Sequence, residues 1–295
     1  MLRQFFKLHG AGNDYIYFDC LGRLGSVDAE PDPLLTSVDI NSLAQRLSDR
    51  HFSIGGDGII LICPSEIADA RMRMFNSDGS EGEMCGNAIR CVGKLVYEKL
   101  LRETGLKKPI LTIETKAGVK RLMLDIKGSL VIGAVVGMGK ADFTPSAISA
   151  LSSAPIIDSP IDAAGRSWRV TALSMGNPHC VVFVSDIESL DLPVIGPKFE
   201  NMPLFPQKIN TEFARIVSPY EIEMRVWERG SGETLACGTG ASATAAAAVK
   251  LGFCAHNFPI AIKLKGGTLF ITVKDDFDII MKGPCESAFY GFVEI

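Results

Sequence analysis

The sequence predicts a mixed α/β (α+β) protein of two related domains, each a curved, barrel-like sheet around a central helix. Three observations point there. Two Gly-rich segments far apart in the chain repeat one another, short β-branched and aromatic stretches outnumber helical ones, and one helical stretch is small on every side. The chain has 295 residues, 47% hydrophobic and 22% charged, which suits a buried core and not an extended disordered chain.

The repeat is the strongest signal. Arg73-Met-Phe-Asn-Ser-Asp-Gly-Ser-Glu-Gly-Glu-Met-Cys-Gly-Asn aligns with Arg225-Val-Trp-Glu-Arg-Gly-Ser-Gly-Glu-Thr-Leu-Ala-Cys-Gly-Thr at a constant offset of 152 residues. Arg73 meets Arg225, Glu81 meets Glu233, Cys85 meets Cys237 and Gly86 meets Gly238. Upstream, Gly12-Asn13 matches Gly176-Asn177, each leading into a strand-like stretch. A third, weaker match sets Gly56-Asp-Gly-Ile-Ile-Leu-Ile beside Asn210-Thr-Glu-Phe-Ala-Arg-Ile. Three matches in one order imply a duplicated domain.

Taken along the chain, β-branched and aromatic content predicts strands at 5–8, 15–18, 59–63, 71–75, 110–114, 119–125 and 131–136. A second set follows at 181–184, 213–217, 223–227 and 268–273. Helices fit 40–49, 88–101 and 240–251. The last of these is mostly Ala over 241–249, and a helix with no polar face is expected to be enclosed by sheet. Long amphipathic crossovers are too few for a doubly wound fold. Between Gly137 and Val170 the chain should pass from one domain to the next. Residues 141–167 contain Pro145, Pro155 and Pro160 and read as a linker, or as a short helix around Ile148. Residues 25–37 read as a plain surface insertion.

Composition removes several function classes. With 30 Lys plus Arg against 34 Asp plus Glu, the formal charge is -4, so nothing favours nucleic acid or an anionic membrane as partner. No run approaches the roughly 20 apolar residues of a membrane span, and no signal sequence is visible, so a cytoplasmic location is expected. Eight cysteines without a CxxC pair, and four dispersed histidines, leave no zinc-finger spacing and no metal expectation.

Cys85 and Cys237 are the exceptional cysteines. Each stands at a Gly-containing turn before a predicted helix, where unpaired backbone amides favour a carboxylate or a thiolate. A lowering of about one unit from the free-thiol value would half-ionise such a group near pH 7.5. Two related domains with one thiol each suggest a two-base reaction. A thiolate removes a proton from one face of a substrate Cα, and a thiol returns one to the other face. Two buried structural cysteines are the plain alternative, and whether the pair could form a disulfide stays open.

The chain resembles the diaminopimelate epimerase family. The motifs that carry the resemblance are His9-Gly-Ala-Gly-Asn-Asp, Arg50-His-Phe-Ser-Ile-Gly-Gly-Asp-Gly, Phe75-Asn-Ser-Asp-Gly-Ser-Glu and Met84-Cys-Gly-Asn. Met175-Gly-Asn-Pro-His and Trp227-Glu-Arg-Gly-Ser-Gly-Glu-Thr-Leu-Ala-Cys-Gly-Thr-Gly-Ala follow, so the likeness spans essentially the whole chain. It implies a cofactor-independent, metal-free epimerase converting LL-2,6-diaminopimelate to the meso form, in lysine and peptidoglycan precursor synthesis. It also implies a homodimer. The implied first domain is 1–138 with a C-terminal return of 284–295, and the second is 139–283, with the substrate in the cleft between them. Residues alone would have assigned the last dozen to the second domain.

By the same resemblance, Cys85 and Cys237 are the acid/base pair. The amides at Gly86-Asn87 and Gly238-Thr239 should hold the reacting carboxylate. Asn13, Asn76, Asn177, Asn210, Glu228 and Arg229 match substrate-binding positions. Arg229 suits a bidentate contact to a distal carboxylate, and Glu228 with the Asn carbonyls suits an ammonium group. Taken singly, Glu228-Arg229 is an ion pair on a turn and the asparagines are turn formers. His179 is a support for Cys237 or a satisfied core histidine, and Asp14 and Asp57 are local acceptors. Two departures are visible. Gly58 stands where many members carry Gln, and Ile89 stands where Ala is familiar. The alternatives are a proline-type racemase, whose first motif usually places His where this chain has Asn87, and a non-catalytic amino-acid-binding protein.

Overall fold

The structure is a computed structural model and describes residues 1–22 and 32–295. Of the insertion expected at 25–37, residues 25–31 lie outside the described residues. The chain divides into two compact units, one of Met1–Val136 with Gly283–Ile295 and the other of Gly137–Lys282.

In the first unit the order is β1 (Leu2–Gly10), β2 (Asn13–Asp19), α1 (Pro33–Thr36), α2 (Ile40–Ser48), β3 (Gly58–Cys63), β4 (Ala70–Asn76) and β5 (Glu81–Gly82). It continues through α3 (Gly86–Thr104), β6 (Ile110–Thr115), β7 (Gly118–Lys127) and β8 (Leu130–Lys140). The second has β9 (Ser159–Ala163), β10 (Arg166–Ser174), β11 (Pro178–Phe183), α4 (Leu192–Glu200), β12 (Asn210–Ser218), β13 (Glu221–Glu228) and β14 (Gly232–Thr234). There follow α5 (Gly238–Lys250), β15 (Pro259–Leu264), β16 (Gly267–Val273) and β17 (Asp278–Pro284). β18 (Glu286–Glu294) then returns to the first unit.

Both units follow one path. β1 and β2 are antiparallel, β2 and β3 parallel, β3 and β4 antiparallel, β4 and β6 parallel, and β6 to β8 antiparallel. β10 to β13, β15, β16 and β17 repeat that sequence of pairings. The outer strand differs in origin. β10 is flanked by β9, which precedes it in the chain, whereas β1 is flanked by β18, which comes last. A salt bridge repeats as well, Arg73 Nε to Glu81 at 2.9 Å and Arg225 Nε to Glu233 at 2.8 Å.

The register corrects the third sequence match by two residues. Arg73 lies opposite Leu61 and Arg225 opposite Phe213, so the 152-residue offset extends back to Gly58 and Asn210. A slip of two leaves every side chain on its original face, so apolar alternation could not reveal it. Gly56 therefore does not correspond to Asn210. Gly58 does.

Each sheet encloses one helix and carries another outside. α3 packs on β1, β2, β4, β6 and β7, and α5 on β10, β11, β12, β15 and β16. Ala241 and every residue from Ala243 to Ala248 except Thr244 are buried alanines, and Ser242 and Thr244 are buried beside them. Small side chains let the sheet close tightly round this helix. On the outer face, α2 begins at Asp39, whose carboxylate accepts from the Asn41 and Ser42 amides, and buries Ile40, Leu43 and Leu47 against Ile59 and Leu61. α4 does the same for the second unit, with Phe199 against Trp168 and Phe213.

Three expectations change. The supposed linker over 141–167 contains a 3-10 turn at Pro145–Ile148, then β9 and the start of β10. Pro160 sits in β9, whose one pairing among the described residues is with β10, so its missing N–H falls on an open strand edge. α4 went unread because Pro193, Gly196 and Pro197 interrupt it. Gly196 is required by packing, since a Cβ there would lie 2.3 Å from the Trp227 ring. β15, β17 and β18 were also missed.

Candidate active site

The first cluster forms where β1, β2, β3 and α3 meet. Cys85 is the N-cap of α3 with no side-chain cap of its own, and its Sγ donates to Asn13 Oδ1 at 3.2 Å. Asn13 is oriented from behind. Its Nδ2 donates to Asp57 Oδ2 at 2.6 Å, and the Asp14 amide donates to the same oxygen at 3.0 Å. Arg50 bridges Asp14 and Asp57 at 2.6 and 2.9 Å, and Lys7 pairs with Asp14 at 2.6 Å. Burial works to raise Asp14, but the hydrogen bonds from Arg50 and Lys7 outweigh it and hold this carboxyl below its usual value. Burial raises Asp57, the next largest effects being the Asp14 amide, which lowers it, and the Asp14 charge, which raises it.

Asn87 is buried in the first turn of α3, and its Oδ1 accepts from Arg90 at 3.0 Å. Arg90 is fully buried. It also donates to Gly86 O at 2.8 Å and Pro284 O at 3.0 Å, tying the start of the helix to the returning C-terminal segment. Asn76 ends β4 opposite Gly58, and its Nδ2 donates to Ser80 Oγ at 3.0 Å. At Gly58 the backbone has φ +154°, and a Cβ would lie 2.0 Å from Phe75 O, so this position admits no side chain. Ile89 is fully buried in α3 and serves packing.

The second cluster surrounds the start of α5. Cys237 is its N-cap, and the Gly240 amide donates to Sγ at 3.3 Å, with Thr239 Oγ1 3.4 Å away. The helix terminus was expected to lower this thiol. Instead burial, followed by the charges of Glu228 and Glu212, pushes it well above the ordinary thiol value, against the smaller opposing pull of Thr239 and Gly240. Burial also raises Glu228, which accepts a hydrogen bond from Thr234.

His179 and Glu212 complete the cluster. His179 is fully buried, its Nδ1 2.7 Å from Glu212 Oε1 and its Nε2 2.9 Å from Asn177 Oδ1. Asn210 is a brace: its Nδ2 donates to Pro178 O and its Oδ1 accepts from the Arg229 amide, both at 2.9 Å. Arg229 is exposed, with Nη1 on Gln207 O at 2.9 Å. Thus Cys85, Asn13, Gly86 and Asn87 gather in one unit, and Cys237, Gly238, Thr239, Glu228, Asn177, Asn210 and Arg229 in the other.

Sequence reasoning missed Glu212, Arg90 and the orienting role of Asp57. Glu212 had one available signal, a carboxylate on the same strand face as Ala214 and so directed at an alanine helix. A cavity of about 380 Å³ in the first unit, lined by residues including Leu8, Leu21, Val96 and Tyr290, contains none of the residues of either cluster. Among the described residues, no cluster of His, Cys, Asp and Glu is placed to hold a metal, and no helix is long and apolar enough to cross a membrane.

Comparison with known proteins adds independent findings. The family model described as diaminopimelate epimerase matches residues 5–144 and 171–287. A diaminopimelate epimerase from Desulfovibrio desulfuricans is 47% identical over 98% of this chain and 97% of its own. Relatives of the same name from Methanococcus maripaludis (44% identical, 99% and 100% covered) and Acetivibrio thermocellus (43%, 99% and 99%) are also similar. Solved structures share the fold at low identity. A phenazine biosynthesis protein of the PhzF family from Bacillus anthracis aligns with TM-score 0.70 at 19% identity, covering both chains fully. A hydroxyproline epimerase from Agrobacterium vitis aligns with TM-score 0.65 at 14%, over 99% of this chain and 91% of that one.

Proposed function

The chain belongs to the diaminopimelate epimerase family, and on that premise we propose that it interconverts LL- and meso-diaminopimelate with Cys85 and Cys237 as the proton-transfer pair. It is an isomerase of lysine and peptidoglycan precursor synthesis. The observation that carries the residue assignment is the repetition of one arrangement in both units, a cysteine N-cap on the enclosed helix at equivalent positions.

The chemistry follows from those helix starts. The first-turn amides of α3 and α5, at Gly86-Asn87 and Gly238-Thr239, are donors suited to the carboxylate attached to the reacting carbon. As the α-proton leaves, that carboxylate gains enediolate charge, which fixed amides and the helix dipole stabilise without reorganising. One cysteine takes the proton as thiolate and the other delivers one as thiol, and the roles exchange with direction. Burial, followed by the charges of Glu228 and Glu212, favours the thiol form of Cys237, the form it needs in the direction in which it is the acid. The exposed fork of Arg229 suits the distal carboxylate, Glu228 the distal ammonium, and Asn13, Asn76, Asn177 and Asn210 frame the substrate. We place the enzyme as a cytoplasmic homodimer, the mass of which sedimentation would measure.

The test is incubation with LL-diaminopimelate in deuterated water. Solvent deuterium should enter Cα of the product, and Cys85→Ala and Cys237→Ala should each abolish net epimerisation while still binding substrate. Near-normal turnover by either variant would overturn the two-base assignment, and activity on proline alone would overturn the substrate.

A further inference from the structure

Glu200 is the last residue of α4, and it is buried. The final turn of a helix favours cations, and a charge is costly to bury, so local structure argues against a carboxylate there. The fold does not ask for one either. α2 of the first unit lies at the same offset, 40–48 against 192–200, and ends on Ser48, whose Oγ has no hydrogen-bond partner among the described residues. The hairpin after β13 differs along with the helix end. Trp227-Glu228-Arg229-Gly230 stands where the first unit has Phe75-Asn76-Ser77-Asp78, so the carboxylate accompanies the charged pair Glu228-Arg229.

Its contacts bracket that pair. Glu200 Oε2 accepts from Trp227 Nε1 at 2.8 Å, and Oε1 accepts from the Gly230 amide at 3.2 Å, one residue before the pair and one after it. Lys208 Nζ donates to Oε1 at 3.1 Å. An indole N–H, a backbone amide and an ammonium group can only donate, so the direction of each bond is fixed. Burial raises the Glu200 carboxyl, but the bonds from Trp227, Lys208 and Gly230 outweigh it and hold it below its usual value. The Trp227 ring itself lies against Gly196 of the same helix. Beyond Lys208 the chain returns to the pair through Asn210, which accepts from the Arg229 amide, while Gln207 O accepts from Arg229 Nη1, both at 2.9 Å. Arg229 is exposed, and a long side chain ordered only on binding would subtract from affinity.

We propose that Glu200 is a positioning residue for the far end of the substrate: by holding Trp227 and Gly230 it fixes the hairpin tip from which Glu228 and Arg229 meet the distal ammonium and carboxylate. The substrate part of this proposal rests on the function proposed above; the hydrogen bonds stand without it. Contacts to the distal end are the same before and during proton transfer, so loosening them weakens binding and spares the chemical step.

The test reads the bond and the kinetics separately. In ligand-free protein labelled with 15N-tryptophan, the Trp227 indole N–H signal is identified by its loss in Trp227→Phe, the other signal being that of Trp168. Glu200→Gln keeps the shape and removes the charge. It should move the Trp227 signal upfield and raise KM for diaminopimelate roughly tenfold, the size of one charged hydrogen bond, with kcat changed by no more than about twofold. Trp227→Phe drops one donor and leaves the carboxylate charged. It should raise KM about threefold, and it carries the test if Glu200→Gln does not fold. A folded variant with unchanged KM overturns the proposal, as does a fall in kcat as large as the rise in KM. So does a Trp227 signal that Glu200→Gln leaves in place. An unlabelled diaminopimelate product in deuterated water would instead sink the function and leave the indole bond to Glu200 standing.

Discussion

Replacing Arg90 with Met is the sharpest test of how the first unit holds its helix start. The guanidinium is fully buried and donates to Pro284 O, Gly86 O and Asn87 Oδ1 at 3.0, 2.8 and 3.0 Å. Gly86 O also belongs to the helix ladder, so its loss matters least. The bonds to Pro284 O and Asn87 Oδ1 are charged ones, each contributing about 1.5–3 kcal/mol, or roughly 3–6 kcal/mol together. Burial disfavours the charged guanidinium, and removing it returns part of that. A net loss of about 3 kcal/mol is expected, some hundredfold in the folding constant. Both tryptophans, Trp168 and Trp227, lie in the second unit, so their fluorescence reports on that unit while far-UV circular dichroism reports on both. In urea, the variant's circular dichroism transition should move to lower concentration and precede the fluorescence transition if the units melt separately. A total loss under about 1 kcal/mol would refute the reasoning.

Two other outcomes follow from the clusters. Gly58→Ala should cost about 2–4 kcal/mol, because the Cβ would meet Phe75 O at 2.0 Å and the strand next to Asn76 must shift; a thermal midpoint equal to the parent's would contradict this. Gly58→Gln should accordingly fail to add a substrate contact. Since burial, Glu228 and Glu212 raise the Cys237 thiol, its alkylation in ligand-free protein should be slow at neutral pH and climb with an inflection above the ordinary thiol range. Glu228→Gln removes an adjacent negative charge and should move that inflection down, as read by mass spectrometry of the Cys237 peptide; an upward move would show that the carboxylate is not acting on the thiol.

The repeat was legible because it rests on residues whose roles are local. A Gly-Asn pair entering a strand, an Arg–Glu bridge across a hairpin and a cysteine before a helix all keep their spacing. The all-small helix was legible for a similar reason, since 241–249 offers no solvent-facing side. Elements defined by their neighbours were not. α4 survives Pro193, Gly196 and Pro197 because its own Phe199 packs on Trp168 and Phe213 and the Trp227 ring lies against Gly196, and β18 consists almost wholly of exposed residues whose place is set by β1. Glu212 was hidden by the two-residue slip, which paired it with Gly58 when its true counterpart is the apolar Ile60. The expected easing of the Cys237 proton failed because a helix terminus is visible in sequence, whereas the burial of the thiol and the two carboxylates folded against it are not.

The different origins of β9 and β18 bear on how the chain leaves the ribosome. β10 emerges with its flanking strand already made, so the second unit can finish as one continuous stretch. β1 emerges early and must wait for residues 286–294, about 15–55 s later at ordinary translation speed. Throughout that interval the Leu2–Gly10 edge offers bare amides and carbonyls to any passing strand. A polypeptide ending at Lys282 and released from the ribosome would thus carry a nearly finished later half and an open-edged earlier one, reversing the usual order in which a growing chain matures.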